Sequence, residues 1–312
     1  MKPELLVITP VYGPTLAALE REYVVHKLWQ ADEPQKLMQS VAGRVRGLVT
    51  TGLFGFTREH LEALPKLEVV ACFGLGHGSL DLAAANERGV IVTNTPDRTS
   101  ESVADVAMGL MLGVMRRICE SDRFIRSGAW KAKATPLGRE LGGKTCGIVG
   151  FGGIGRSVAH RAEAFGMSIC YYGPRQKGDV PYRYYADLVA TAHDADCLVI
   201  ACPETPQTRG LVDADVLAAL GVDGFLVNVA RGAIVDETAL IAALQKKEIA
   251  GAGLDVFWNE PHAPQALLAL DNVVLTPHIG TTTRENREER GAKLLANLRA
   301  HFSGERVLNP VE

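Results

Sequence analysis

The 312-residue chain has no CxxC pair and no Cys/His spacing that would hold a metal. Its six cysteines, Cys72, Cys119, Cys146, Cys170, Cys197 and Cys202, are scattered, which argues against a disulfide framework or a zinc site and for reduced thiols. No apolar run approaches the roughly 18 residues that a membrane span requires. The longest helical apolar stretch, VADVAMGLMLGVM at 103–115, is interrupted by Asp105 and ends in Arg116 and Arg117. The opening MKPELLVITP is too briefly apolar and too acidic for a signal peptide. An excess of one charge is also missing: 33 Lys and Arg against 36 Asp and Glu leave a net −3, too little to draw the chain to nucleic acid or anionic lipid. The expectation is a cytoplasmic protein with a small-molecule partner.

What the chain does have is βα alternation. At this length one core stops growing, so two domains are expected. LLVITP (5–10), RVRGLVTT (44–51), LEVVACFG (67–74) and GVIVTNTP (89–96) read as strands with helical stretches between them. A long helix follows, with Thr99 or Ser100 as its cap, Glu101 in its first turn and apolar positions from Val103 to Ile118 at helical spacing. Residues 121–144 look polar and irregular. A second series then begins: TCGIVG (145–150), MSICYY (167–172), DCLVIAC (196–202), GFLVNVA (224–230), AGAGLDVF (250–257) and NVVLTP (272–277). Six strands with crossovers of this length make a doubly wound parallel sheet. The charged helical segment 284–302 is expected to pack back on the first unit.

The segment GIVGFGGIGRSVAHRAEAFGM runs strand, glycine turn, amphipathic helix, and MSICYY follows as the next strand. In that context Gly150, Phe151, Gly152, Gly153, Ile154 and Gly155 form a dinucleotide loop. Gly150 allows the tight turn, Gly152 the approach of a pyrophosphate, and Gly155 close helix–strand packing, with the helix N-terminus facing the phosphates. The second strand of such a unit usually ends in an acid that bonds the ribose of NAD. Here YYGPR puts Gly173, Pro174 and Arg175 there, with Lys177 beyond. Without a carboxylate, a 2′-phosphate is not repelled, and Arg175 can pair with it. NADPH is therefore expected over NADH.

Three residues fall just after strands of the second series: Arg231 in NVARGAIVD, Glu260 in GLDVFWNEP and His278 in LTPHIG. An imidazolium can donate a proton to a carbonyl oxygen while hydride reaches the carbon. A neighbouring carboxylate favours that cation and orients it, and a guanidinium clamps a substrate carboxylate. Asp255 is placed to bond the nicotinamide carboxamide.

The motifs GIVGFGGIG, NVARGAIVDE, GAGLDVFWNEP and NVVLTPHIGTTT resemble those of the D-isomer-specific 2-hydroxyacid dehydrogenases, in the glyoxylate/hydroxypyruvate and hydroxyphenylpyruvate reductase branch. The resemblance covers nearly the whole chain. It implies an α/β fold of two Rossmann-like doubly wound domains: a flavodoxin-like substrate domain (1–98 with 284–312) and an NAD(P)-binding Rossmann domain (99–283). It implies catalytic roles for Arg231, Glu260 and His278, and a substrate-carboxylate loop at Leu75 and Gly76. Leu53 and Phe54, in TGLFG, would face the substrate R-group. Val229 and Ala230 would wall the nicotinamide, and Gly173, Arg231, His278 and Gly280 would join the cofactor-binding set. The resemblance further implies a homodimer formed through residues near 100–144. Arg98 and Glu204 depart from the family pattern. The expected activity is NADPH-dependent reduction of glyoxylate or hydroxypyruvate. The alternatives are a reductase of bulkier 2-oxo acids such as phenylpyruvate and, from another class, a dinucleotide-sensing binding protein. Formate oxidation fits less well, because it needs no proton donor.

Overall fold

The computed structural model describes residues 2–52, 54–74, 79–96 and 99–311. It contains two compact units, Met1–Arg98 with Thr283–Glu312 and Thr99–Thr282.

The first unit is built on five parallel strands, β1 (Glu4–Val7), β2 (Val24–Lys27), β3 (Val45–Thr51), β4 (Val69–Phe73) and β5 (Ile91–Thr93), in the order β2-β1-β3-β4-β5. Alternate residues of a strand point to opposite faces, and the sheet accordingly carries two cores. Leu6, Leu48, Val70 and Cys72 lie in one, and Leu5, Val7, Val49, Val69 and Ala71 in the other. The C-terminal helix Arg284–Phe302 covers the second core with Leu294, Leu295 and Leu298, and Thr283 caps it by accepting the Asn286 N–H at 3.1 Å.

The second unit has seven parallel strands: β6 (Thr145–Val149), β7 (Ser168–Tyr172), β8 (Arg183–Tyr185), β9 (Cys197–Ile200), β10 (Phe225–Asn228), β11 (Gly251–Leu254) and β12 (Val273–Leu275). Their order is β12-β11-β10-β9-β6-β7-β8. Strand order reverses between β6 and β9, the switch point at which doubly wound sheets bind ligands beyond the carboxyl ends of their strands. The loops after β6, β9, β10, β11 and β12 all open at that end.

Four details differ from the sequence expectation. β2 and β8 are short edge strands that the apolar pattern does not mark. The long helix is Thr99–Met115, so Thr99 and Ser100 lie within it and do not cap it. It stops because Arg117 turns left-handed (φ 56°), and Ile118, expected within the long helix, opens a separate helix, Ile118–Arg126, that runs into the 121–144 stretch expected to be irregular. Among the described residues no helix is long and apolar enough to cross a membrane.

Candidate active site

β12 ends at Leu275, and the chain then turns through Thr276 to His278. The His278 backbone is left-handed at φ 53°. Its N–H donates to the carbonyls of Asp255 (2.8 Å) and Thr276 (3.0 Å). Asp255, at the end of β11, is fully buried; its Oδ1 accepts from Thr276 Oγ1 (2.6 Å) and the Ile279 N–H (2.8 Å), and its Oδ2 from the Gly280 N–H (2.9 Å). Sequence reasoning aimed Asp255 at a carboxamide; here its carboxylate holds the 276–280 segment in place.

The His278 ring is thereby presented to Glu260. Nδ1 lies 2.7 Å from Glu260 Oε2, and both side chains are part-exposed at 43% and 34%. The other carboxylate oxygen accepts the Phe257 N–H at 3.1 Å, which fixes the acid from its own loop. With Nδ1 engaged, Nε2 is the ring nitrogen left to act, and it makes no hydrogen bond among the described residues.

Arg231 follows β10. Asn228, the last residue of that strand and almost fully buried, accepts the Ala230 N–H (3.1 Å) and donates to the Arg231 carbonyl (3.0 Å). Both sides of this loop are thus pinned by one amide that sequence reasoning did not single out. Gly232 brings the loop hard against the next one: a Cβ there would sit 2.1 Å from the Phe257 carbonyl carbon and 2.5 Å from Trp258 N. The Arg231 loop and the Glu260 loop therefore touch backbone to backbone, and Glu260 in turn touches His278. The exposed Arg231 guanidinium donates only to the carbonyl of Ala230 (2.6 Å), with no acid within ion-pair distance among the described residues. Val229 and Ala230 are buried between β10 and the loop.

The glycine loop has a form that admits a dinucleotide. Gly150 has φ 94°, and a Cβ on it would meet Cys202 Cα at 2.5 Å, so the turn after β6 presses against the chain leaving β9. A Cβ on Gly155 would lie 2.3 Å from the Gly150 carbonyl oxygen, which requires glycine where the helix Gly153–Ala164 crosses the turn. Above Gly152 there is open space. That helix has no side-chain cap and no acid in its first turn, so its free N–H groups suit an anion. Phe151 lies beneath, its ring 4.5 Å from that of Tyr171. Beyond β7 no carboxylate stands at Gly173, Pro174 or Arg175. The loop is held by the Tyr171 hydroxyl accepting the Lys177 N–H (2.7 Å), by the Tyr184 hydroxyl donating to the Gly173 carbonyl (3.1 Å), and by an Arg156–Asp179 ion pair (3.0 Å). Arg175 is exposed, and no ion pair engages it among the described residues.

In the first unit, Phe54 is 66% exposed at the end of a turn closed by the Gly55 N–H to the Thr51 carbonyl (2.8 Å). Leu53, Leu75, Gly76 and Arg98 lie outside the described residues. Among those that are described, no group of three His, Cys, Asp or Glu is placed to hold a metal. Burial pushes the thiols of Cys170 and Cys202 up to about 11 and of Cys72 to about 12, so these behave as packing groups.

Residues 108–280 match the family model described as D-isomer specific 2-hydroxyacid dehydrogenase, NAD binding domain. The chain is 43% identical over 307 residues to glyoxylate/hydroxypyruvate reductase A HPR2 of Arabidopsis thaliana, with 98% of each chain covered. It is 42% identical, with the same coverage, to hydroxyphenylpyruvate reductase of Plectranthus scutellarioides. Among solved structures, an NADPH-dependent glyoxylate/hydroxypyruvate reductase from Sinorhizobium meliloti, in complex with NADP and malonate, superposes with a TM-score of 0.85 at 39% identity. That match covers 100% of this chain and 97% of the other.

Proposed function

Because this chain belongs to the D-isomer-specific 2-hydroxyacid dehydrogenase family, we propose that it reduces small 2-oxo acids, glyoxylate and hydroxypyruvate, with Arg231, Glu260 and His278 as its catalytic residues and NADPH as its preferred coenzyme. The product is the D-2-hydroxy acid where it is chiral. The observation that carries this reading is the 2.7 Å contact of Glu260 with His278 Nδ1, which leaves Nε2 free on a ring held by its backbone.

The loop Gly150–Gly155 and the helix behind it would hold the pyrophosphate, with Val229, Ala230 and Gly280 toward the nicotinamide. Bound there, the nicotinamide supplies the hydride. The rest is the work of this chain. Arg231 takes the substrate carboxylate through its unpaired guanidinium and draws electron density from the adjacent carbonyl. His278, protonated, donates from Nε2 to the carbonyl oxygen, so that oxygen becomes a hydroxyl as the carbon accepts hydride. Glu260 accepts from Nδ1–H throughout, holding the ring's orientation and offsetting its charge before it gives up the proton. Solvent then restores the proton to the part-exposed imidazole.

NADPH preference rests on the missing acid after β7 and on the unpaired Arg175, with Lys177 on the same pinned loop. Dimerisation is supported by the segment after the long helix. The helix Ile118–Arg126 buries none of its residues within the chain, and Ile118, Ile125, Trp130 and Leu137 are 53%, 56%, 64% and 93% exposed. Six free cysteines suit a reducing cytosol. A second reading, turnover of bulkier 2-oxo acids, is favoured by the exposed Phe54 on the loop expected to face the R-group.

Initial rates with NADPH and NADH across glyoxylate, hydroxypyruvate and phenylpyruvate test the substrate and coenzyme assignments. The reading predicts turnover of the two small acids and a higher kcat/KM with NADPH. Faster phenylpyruvate reduction would select the second reading, and silence across the series would leave a dinucleotide-binding protein.

A further inference from the structure

The loop after β9 carries Glu204, a departure from the family pattern that the reaction as described does not use. Glu204 Oε1 pairs with Arg209 Nη2 at 2.5 Å. The Arg209 guanidinium lies over the indole of Trp258, 5.3 Å from the ring centroid. Trp258 Nε1–H donates to the Val235 carbonyl at 2.9 Å, in the loop that carries Arg231. The loops after β9 and β10 are in turn zipped together by backbone: the Gly210 N–H donates to the Ala233 carbonyl (2.8 Å) and the Val212 N–H to the Ile234 carbonyl (3.0 Å). Trp258 is thus the side chain at which the loops after β9, β10 and β11 meet. Its chain neighbour Phe257 gives the backbone N–H that fixes Glu260.

We propose that Trp258, clamped beneath Arg209 by Glu204, is a positioning residue that sets Arg231 and the Glu260–His278 pair in register for reduction. The inference rests on the catalytic reading above. Trp258 is 42% exposed and the Glu204–Arg209 pair is also partly in water, so the clamp contributes little to folding stability. What the three partners specify is direction: the indole is fixed at its face by a cation and at its edge by a carbonyl. A loop that carries one catalytic group cannot then slide against the loop that carries another. Rates are sensitive to displacements of this size, since about 1 Å of misplacement can cost 100-fold.

The test uses the full-length enzyme with glyoxylate and NADPH, comparing Trp258→Ala, Trp258→Phe and Arg209→Met for kcat, KM, NADPH affinity by calorimetry, and the solvent deuterium isotope effect on kcat. Trp258→Ala is expected to lower kcat about tenfold or more with NADPH affinity within about twofold of wild type, and to raise the isotope effect as proton delivery slows. Trp258→Phe, which keeps a ring beneath the guanidinium but loses the bond to the Val235 carbonyl, recovers part of kcat. Arg209→Met, a surface change that leaves the indole in place, shows the same signature at about threefold. A kcat within about twofold of wild type in Trp258→Ala and in Arg209→Met would overturn the proposal while leaving the catalytic reading intact. So would a loss seen only as weaker NADPH binding. No turnover by the wild-type protein itself would sink both.

Discussion

At His278 the backbone occupies a left-handed conformation that costs a residue with a Cβ roughly 1–2 kcal/mol, and three neighbouring groups hold it there. Its N–H is shared by two carbonyls, and the buried Asp255 carboxylate takes the next two N–H groups. Such a conformation persists only where the surroundings over-determine it. The backbone is thereby fixed where the ring can reach Glu260, which engages Nδ1 at 2.7 Å. Arg175 is the contrasting residue, an exposed cation with no partner among the described residues. Arg175→Asp is expected to shift the NADPH/NADH ratio of kcat/KM toward NADH by roughly 10- to 100-fold, the worth of one charge-assisted contact. An unchanged ratio in parallel initial-rate assays would remove the phosphate contact from the account. Arg231, Glu260, His278 and the glycines were candidates in the sequence because their chemistry shows in residue type and in their place after a strand. Asn228, Trp258 and the structural task of Asp255 were not, because each acts through a carbonyl or N–H whose position only the fold supplies.

Among elements, the site depends on three consecutive strand-end loops that touch. Gly232 is where this contact is closest, its missing side chain filled by the Phe257–Trp258 peptide. Gly232→Ala must push the loops after β10 and β11 apart. Overpacking of this kind costs about 2 kcal/mol or more, or roughly 4–8 °C in the melting of a unit this size. Scanning calorimetry should show that loss together with a fall in kcat, whereas an unshifted transition would mean that the loops are free to separate. The sequence marked the interior strands well, since β4, β9, β10 and β11 are buried on both faces and read as continuous apolar runs. It missed β2 and β8 because edge strands of four and three residues, VVHK and RYY, bury little and are defined only by pairing with a neighbour. The helix Ile118–Arg126 was hidden for a related reason: it is amphipathic, but its apolar residues are not buried within its own chain.

On the scale of the whole molecule, that unburied segment exposes Ile118, Ile125, Trp130 and Leu137 together in the stretch expected to form a subunit contact. If it forms the subunit contact, sedimentation should give a mass near twice the chain's 33.5 kDa. Trp130→Glu with Leu137→Glu should return the chain to monomer with its secondary structure intact; a dimer that survives both changes places the contact elsewhere. The two doubly wound sheets were recoverable from the order of strands and helices. The points where the chain passes from one unit to the other and back came from the family resemblance, because no Pro- or Gly-rich linker marks them in the sequence. The proposed reaction turns on delivery of a proton from His278 to a 2-oxo acid. The most direct measurement is kcat for glyoxylate reduction by His278→Asn, since asparagine tolerates the left-handed backbone, with NADPH affinity determined on the same preparation. A fall of about 100- to 10,000-fold, with NADPH bound as tightly as by wild type, is the predicted result. Reduction at the wild-type rate, or a loss that comes entirely from failure to bind NADPH, would contradict it.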